Sequence, residues 1–394
     1  MTEPPAGPVA HDGHAVPLST IAREWSRLGA IGFGGPPAHI ALLRQLCVVD
    51  RRWQTDREFE DAVAVTNLLP GPASTQLAIL SAWRLRGPLG AIVGGVCFIV
   101  PGLVMILALS VLFFASSPPI VVLAAAAGVG AAVPAVAIQA AAGLAPASWK
   151  RNGGRRPSQV RWVLYAVAGA AAATLLGPFL VVVLGVCGIV EVVAHRPRTV
   201  PPRMLSVTPA VVLPAAGTLA AVSWVAFKVG ALSYGGGFVI IPLMQHDAVA
   251  VHHWMTNAQF LDAVALGQVT PGPVVLTVSA VGYAAAGIVG GLLAAVVAFA
   301  PSFVYVIGGA PHLEKLRSNR SIQAFLTGAG AAAIGAIAGA SLTLGLALDH
   351  SWQALPLAVG AGWLFVARRS VVTALLGAGI IGMGAGLLGL PVGR

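Results

Sequence analysis

The sequence predicts an all-α, polytopic membrane protein made of two homologous halves. Three observations predict it. Hydrophobic residues make up 57% of the chain and charged residues only 9%, with a mean hydropathy of +0.86; a soluble domain carries about 25% charged residues. Apolar runs at 89–114, 120–145, 208–227, 286–310 and 322–348 reach the roughly 20 residues that cross a bilayer as helix. One set of motifs also occurs twice at a single spacing. The short alternating segments of an outer-membrane barrel are absent.

The repeat orders the elements. LGAIGFGG at 28–35 returns 201 positions later as VGALSYGG at 229–236. The same spacing pairs Trp53 with Trp254, Phe59 with Phe260, and Asp61-Ala-Val-Ala64 with Asp262-Ala-Val-Ala265. It also pairs Pro70-Gly71-Pro72 with Pro271-Gly272-Pro273. Each half opens on a glycine-rich break, GFGGPP or SYGGGF. A polar loop follows and ends in Thr55-x-x-Glu58 or Thr256-x-x-Gln259, the capping-box pattern that satisfies the first free N–H groups of a helix. A helix interrupted by PGP comes next, then long apolar helices. A pair of shorter apolar segments closes each half, 162–175 with 178–194 and 352–366 with 370–390. This gives residues 1–17 as a disordered cytoplasmic tail, 18–194 as the first transporter repeat, 195–206 as a basic linker and 207–394 as the second repeat. About 10–13 membrane segments are expected, with broken or re-entrant helices at the two kinds of motif.

Charge bears on topology. The formal net charge is +10, and the cations gather in loops: Lys150, Arg151, Arg155, Arg156 and Arg161; Arg196, Arg198 and Arg203; Lys315, Arg317 and Arg320. By the positive-inside rule both 150–161 and 312–320 are cytoplasmic. One crossing separates 150–161 from 111–119, the counterpart of 312–320. Equivalent loops then face opposite sides, so the halves are expected to be inverted repeats. The apolar stretch 208–227, matched in the first half by the polar tail, is the extra crossing that supplies the inversion.

The breaks raise the functional question. A proline inside a helix costs roughly 3 kcal/mol in water, and freed backbone groups fare worse in hydrocarbon. Thr55 to Pro70 is about 22 Å of helix, so the break falls deep in the membrane. With Pro72 as first helical residue, Ala73, Ser74 and Thr75 offer free N–H groups. A helix start with its partial positive charge is an anion site without a lysine in lipid, and broken helices at a repeat interface recur in secondary transporters. A single Pro-Gly in a membrane helix is most often a packing kink; two at one spacing, beside Asn67 and Gln268, favour function.

The candidate anion-binding residues are therefore Asn67, Pro70, Gly71, Pro72, Ser74, Thr75 and Gln76 in the first half. In the second half they are Gln268, Thr270, Pro271, Gly272, Pro273 and Thr277. Val275 and Leu276 face Ser74 and Thr75, so the site is expected to be lopsided. The glycine breaks add Gly34, Gly35, Pro36 and His39, and Tyr234, Gly235, Gly236 and Gly237. Pro36 and Pro37 are placed to start a short helix, with His39 on its first turn. A triple glycine also serves close helix packing, and a lone histidine is most often a hydrogen-bonded structural residue. Lys228 lies between an apolar run and the site and is the favoured intramembrane cation. Arg84 and Arg86 read as snorkelling interfacial residues, and Asp61 and Asp262 as partners of helix dipoles.

Cys47, Cys97 and Cys187 are far apart and no metal-ligand spacing occurs, so neither metal, cofactor nor disulfide framework is expected. Basic residues without interleaved aromatics give no case for nucleic acid. The first residues lack the basic start and apolar core of a signal peptide.

FGGPPAHI, Trp53, Phe59, Asp61 and LLPGPASTQLA resemble the chromate ion transporter family, as do YGGGFVIIPL, Trp254, FLDAVALGQVTPGP and Val281-Gly-Tyr283. The resemblance covers about 20–115 and 225–310 and points to the long, two-domain type. It implies a multi-pass inner-membrane exporter of chromate, with sulfate as a chemically similar oxyanion and a homodimer as an open assembly. Where family members often carry acids after the glycine motifs, this sequence has Arg44, Gln45, Gln245 and His246. The residues alone reach an anion transporter; chromate comes from the resemblance. The alternatives are a sulfate or other oxyanion permease and, from another class, a membrane lipid-pyrophosphate phosphatase. The phosphatase wants clustered glutamates and an arginine beside the serine, which PGPAST lacks.

Overall fold

In the computed structural model the described residues are 16–67, 69–115, 118–152, 154, 156–176, 179–195, 217–233, 240–309 and 319–392, and all of their regular structure is helical. The first half comprises α1 (Leu18–Ile31), α2 (Pro36–Arg44), α3 (Asp56–Thr66), α4 (Ala73–Phe113), α5 (Ile120–Arg151), α6 (Arg156–Ala171) and α7 (Leu180–His195). The second half repeats the series as α8 (Thr218–Leu232), α9 (Ile241–Gln245), α10 (Asn257–Val269), α11 (Thr277–Gly309), α12 (Arg320–Leu346), α13 (Ala354–Ala361) and α14 (Val371–Leu387). The helices α4, α5, α11 and α12 have the length and apolarity of membrane spans.

The local signals explain where elements start. Thr55 and Thr256 each accept the N–H of the residue three places on, and Glu58 and Gln259 return the bond. Pro36 and Pro37 open α2, where missing N–H groups cost nothing. The terminal apolar pairs form as expected, α6 with α7 and α13 with α14. Both α2 and α9 run on into a π-turn, Gln45–Asp50 and His246–Val251.

Several expectations change. Of the stretch 208–227, residues 218–227 lie in α8, which stands where α1 stands in the first half, while 208–216 lie outside the described residues. The described part of that stretch is thus the counterpart of α1, and the inverted arrangement remains a reading of loop charge. Arg161 is not a loop cation; it lies in α6 and grips the buried Glu191 of α7 through Nε at 2.7 Å and Nη2 at 3.1 Å. The helix before the first PGP is shorter than the distance to Pro70 implied, because α3 ends at Thr66. The 201-residue register also slips by one past the break, since the interruptions at Arg86–Gly87 and Ala286–Gly287 are 200 apart.

Those interruptions fold α4 and α11 into hairpins. A methyl group on Gly90 would meet Ala82 O at 2.4 Å, and one on Gly95 would meet Ile79 Cγ1 at 2.8 Å. Residues so far apart in sequence touch only if arm 73–85 doubles back along arm 88–113. Gly290 approaches Gly282 O in the same way. Each α4-type element is therefore one short arm leaving the PGP break and one full crossing.

The halves are interleaved. The long helix α5 packs on α13 and α14 of the second half, and α12 packs on α6 and α7 of the first. Small residues let these backbones close, as membrane helices require without a hydrophobic drive between them. Gly128 abuts Ala378 O, and Gly335 abuts Ala166 O.

Candidate functional site

The two PGP breaks meet where the halves cross. Gly71 N donates to Ser233 O at 2.7 Å, and Gly272 N donates to Gly32 O at 2.9 Å. Each break is thus pinned to the backbone that ends the first helix of the other half. Gly71 and Gly272 have φ of +119° and +95°, a conformation open chiefly to glycine.

At the first break Pro72 is the N-cap, not the first helical residue, and α4 begins at Ala73. Pro72 O accepts from Thr75 N at 2.9 Å and from Gln76 N at 3.0 Å. Among the described residues the donors without a backbone partner are therefore those of Ala73 and Ser74, one fewer than the sequence implied. Gln76 Nε2 donates to Pro70 O at 2.6 Å and braces the loop. Its Oε1 and Thr75 Oγ1 are buried without a partner among the described residues. Leaving such groups unpaired costs about 1–3 kcal/mol each.

His39 bridges α2 to this helix start. Its Nε2 lies 2.9 Å from Gly32 O and its Nδ1 lies 3.1 Å from Ser74 Oγ. A carbonyl only accepts, so Nε2 carries the proton, and Nδ1 of the neutral ring accepts a hydrogen bond from the Ser74 hydroxyl. The Ser74 side chain is thereby committed to His39, while its backbone N–H stays available. Gly34 and Gly35 turn the chain into α2 at φ +97° and +72°.

A cavity of about 360 Å³ opens on the first break. Asn67, Leu69, Gly71 and Ala73 form one wall, Leu144, Ala147 and Arg151 of α5 a second, and Ala333, Ile334 and Ile337 of α12 a third. It fills the space that α3 leaves by packing on α4 and making no comparable contact with α12. Arg151, in the last turn of α5, puts a cation on the cavity wall.

The second break is closed. Its helix α10 packs against α5, and Phe260 to Gln268 are all buried, whereas α3 buries only Phe59, Ala62, Val65 and Thr66. Pro273 caps a 3-10 turn, Val274–Leu276, before α11 begins at Thr277. Thr277 Oγ1 donates back to Val274 O at 2.8 Å, and Thr270 Oγ1 to Gly267 O at 3.4 Å. Gln268 Nε2 is buried without a partner among the described residues.

The linings differ at equivalent places. A methyl group on Gly71 would lie 2.4 Å from Gln76 Nε2 and 3.3 Å from Ser302 Oγ; one on Gly272 would meet Leu276 Cδ1 at 3.5 Å and Gly102 Cα at 3.7 Å. Ser233 holds Gly71, and Gly32 holds Gly272. Three polar residues at the first break thus correspond to leucine and two glycines at the second. Ser233 and Ser302 are fully buried, and both hydroxyls lack a partner among the described residues. Sequence reading missed them because a serine in an apolar helix looks like a packing residue.

The remaining candidates stand apart. Lys228 does not point a free charge at the break: its Nζ is 2.5 Å from Asp247 Oδ2, with Trp224 5.7 Å away. Arg84 Nη1 donates to Glu58 O at 2.6 Å and ties α4 to α3. Tyr234, Gly235, Gly236 and Gly237 lie outside the described residues.

The chain matches the chromate transporter family over residues 19–191 and 220–383. A chromate transport protein of Cupriavidus metallidurans is 32% identical over 354 residues, covering 87% of each chain. One from Pseudomonas aeruginosa is 30% identical over 383 residues, covering 90% of this chain and 89% of its own. A probable chromate transport protein of Synechococcus elongatus is 29% identical over 348 residues, covering 85% and 86%. No solved structure matches. The chain belongs to the chromate transporter family.

Proposed function

We propose that this membrane protein is a secondary transporter that exports chromate across the inner membrane, holding the anion at the first PGP break. The observation that carries this is the cavity opening on Gly71 and Ala73, where the unpaired N–H groups of a helix start meet the wall that bears Arg151. Chromate is a divalent tetrahedral oxyanion with acceptors on every face. Backbone donors and helix dipole suit it without a buried compensating charge. Thr75, Ser233 and Ser302 add buried hydroxyls beside the same loop.

Access alternates in this reading. The open gap beside α3 and the tight packing of α10 are two states of one element, displayed at once by the two halves. Exchange of those states, with α3 closing on α12 as α10 leaves α5, carries the site from one face of the membrane to the other. Inverted halves make that exchange a change of side, and the loop charges support the inversion.

Uptake of chromate and of sulfate into everted vesicles tests the function. The expected result is saturable chromate uptake that depends on an ion gradient and is lost with Gly71→Ala. Sulfate uptake at equal or greater efficiency would move the assignment to a sulfate permease, and uptake of neither would refute it.

A further inference from the structure

Asp262 stands at the packed face of α10, only 6% exposed. Its Oδ1 would lie 3.1 Å from a methyl group on Gly130 of α5, so the carboxyl is pressed against that helix. No hydrogen bond or ion pair reaches it among the described residues. An ionised carboxylate buried without donor or cation is prohibitively costly.

The equivalent acid in the first half is treated differently. Asp61, on the half-exposed α3, shares the field of Arg84 with Glu58. The position equivalent to Arg84 is Ala284, so the second half removes the cation and keeps the acid. A dipole role alone, the simplest reading of both aspartates from sequence, does not call for that difference.

Asp262 lies on two cavities, one walled by Phe113, Phe114, Leu123 and Gln259 and the other by Leu261, Asp349, His350 and Gln353, and the helices packed around it carry few titratable groups. From Ile120 to Arg151, α5 has titratable groups only at Lys150 and Arg151, in its last turn; α14 has none, and α11 offers Tyr283 and Tyr305. The hairpin arm 88–113 contributes Cys97 alone. On the π-turn beside α10 are His246 and Asp247, the latter paired with Lys228. Two titratable groups share a cavity with Asp262, Asp349 and His350, from the turn after α12. The Nε2 of His350 is buried without a partner among the described residues, so a second unpaired polar atom marks this cavity.

We propose that Asp262 is a proton-binding site that couples ion movement to the gate: it takes up a proton when α10 docks on α5 and releases it when α10 leaves. The docked helix buries a neutral carboxyl. Undocking opens Asp262 to water, where it ionises, and the proton leaves by way of the cavity that holds His350 and Asp349. Rising pH therefore favours the undocked state, and falling pH the docked one. The proton is the driving ion here whichever anion is carried.

The test reads α10 directly. In a background with Cys47, Cys97 and Cys187 replaced by alanine, Leu261→Cys places a thiol on the docked face. Its modification by a water-soluble maleimide is divided by that of Arg57→Cys on exposed α3, which removes the thiol's own pH dependence. Between about pH 6 and about pH 9 the ratio is expected to rise about tenfold with Asp262 present. With Asp262→Asn, a neutral side chain of the same shape, it is expected to stay at its low-pH value throughout. A flat ratio in the parent, or an unchanged pH response in Asp262→Asn, would overturn the proposal. Neither arm contains chromate, so the result is independent of the anion assignment.

Discussion

Around Gly71 stand Gln76, Ser302 and Ser233; around Gly272, at the equivalent places, stand Leu276, Gly102 and Gly32. The backbone is shared: a glycine of high positive φ, a proline cap, and one hydrogen bond to the other half. The linings are opposite in character. One backbone device carried in two different linings fits the proposed division of two jobs. The second break supplies a joint, packed so closely that Gly102 leaves 2.2 Å between an added methyl and Pro271 O. The first supplies donors and an open approach. In the proposed function the break is the common device, and its surroundings decide which copy holds the anion.

The largest expected effect breaks the joint. Gly102→Ala forces a methyl into Pro271 O, a backbone atom that cannot swing away, and overpacking of this kind costs about 1–3 kcal/mol. Thermal unfolding in detergent should show a clear drop for Gly102→Ala and almost none for Ser302→Ala. Equal losses would mean that the two positions are packed alike.

Removing donors at the open break should act on transport and not on folding. Ser302→Ala and Thr75→Val each delete a buried hydroxyl, worth roughly 1–3 kcal/mol toward a charged partner. Chromate flux at matched expression should fall by about 5- to 150-fold, with melting temperature unchanged. Intact flux in both variants would remove the side chains from the site and leave the backbone alone.

Thr277→Val sharpens the contrast. Among the described residues its hydroxyl bonds only to Val274 O within its own turn, a contact worth about 1 kcal/mol. Flux should change by less than about threefold, and a loss as large as that of Thr75→Val would contradict a lopsided site. The smallest effect belongs to Arg151→Gln. An exposed cation on the cavity wall raises the local anion concentration; its removal should raise KM by no more than about twofold and leave kcat unchanged. The KM difference should vanish at high salt.

Much of this was legible in the sequence, for local reasons. The capping boxes at Thr55 and Thr256, the proline start of α2 and the terminal helix pairs follow from short-range chemistry. The repeat was visible because tryptophan, proline and paired glycines rarely recur by chance at one spacing. The one-residue slip past the break was hidden, because glycine- and alanine-rich helices carry no register marks. The hairpin at Arg86–Gly87 had its signal in the following Pro88, obscured by the apolar run on both sides. The interleaving of α5 and α12 with the other half's terminal helices depends on which small-residue faces meet, and many faces here are small. Lys228 looked free because its partner Asp247 is a turn-and-loop away in sequence. Ser233 and Ser302 became site candidates only when the fold placed them beside Gly71.

The central claim is that helix donors exposed by the first break bind the anion. Replacing Pro70, Gly71 and Pro72 together by alanine lets α3 run on into α4, since alanine is the best helix former. The N–H groups of Ala73 and Ser74 then bond inside the helix. The deciding measurement is calorimetry of chromate binding to purified, monodisperse protein. The first-break variant is expected to show no binding, while the same replacement at Pro271, Gly272 and Pro273 retains binding but does not transport. Wild-type affinity in the first-break variant would contradict the account.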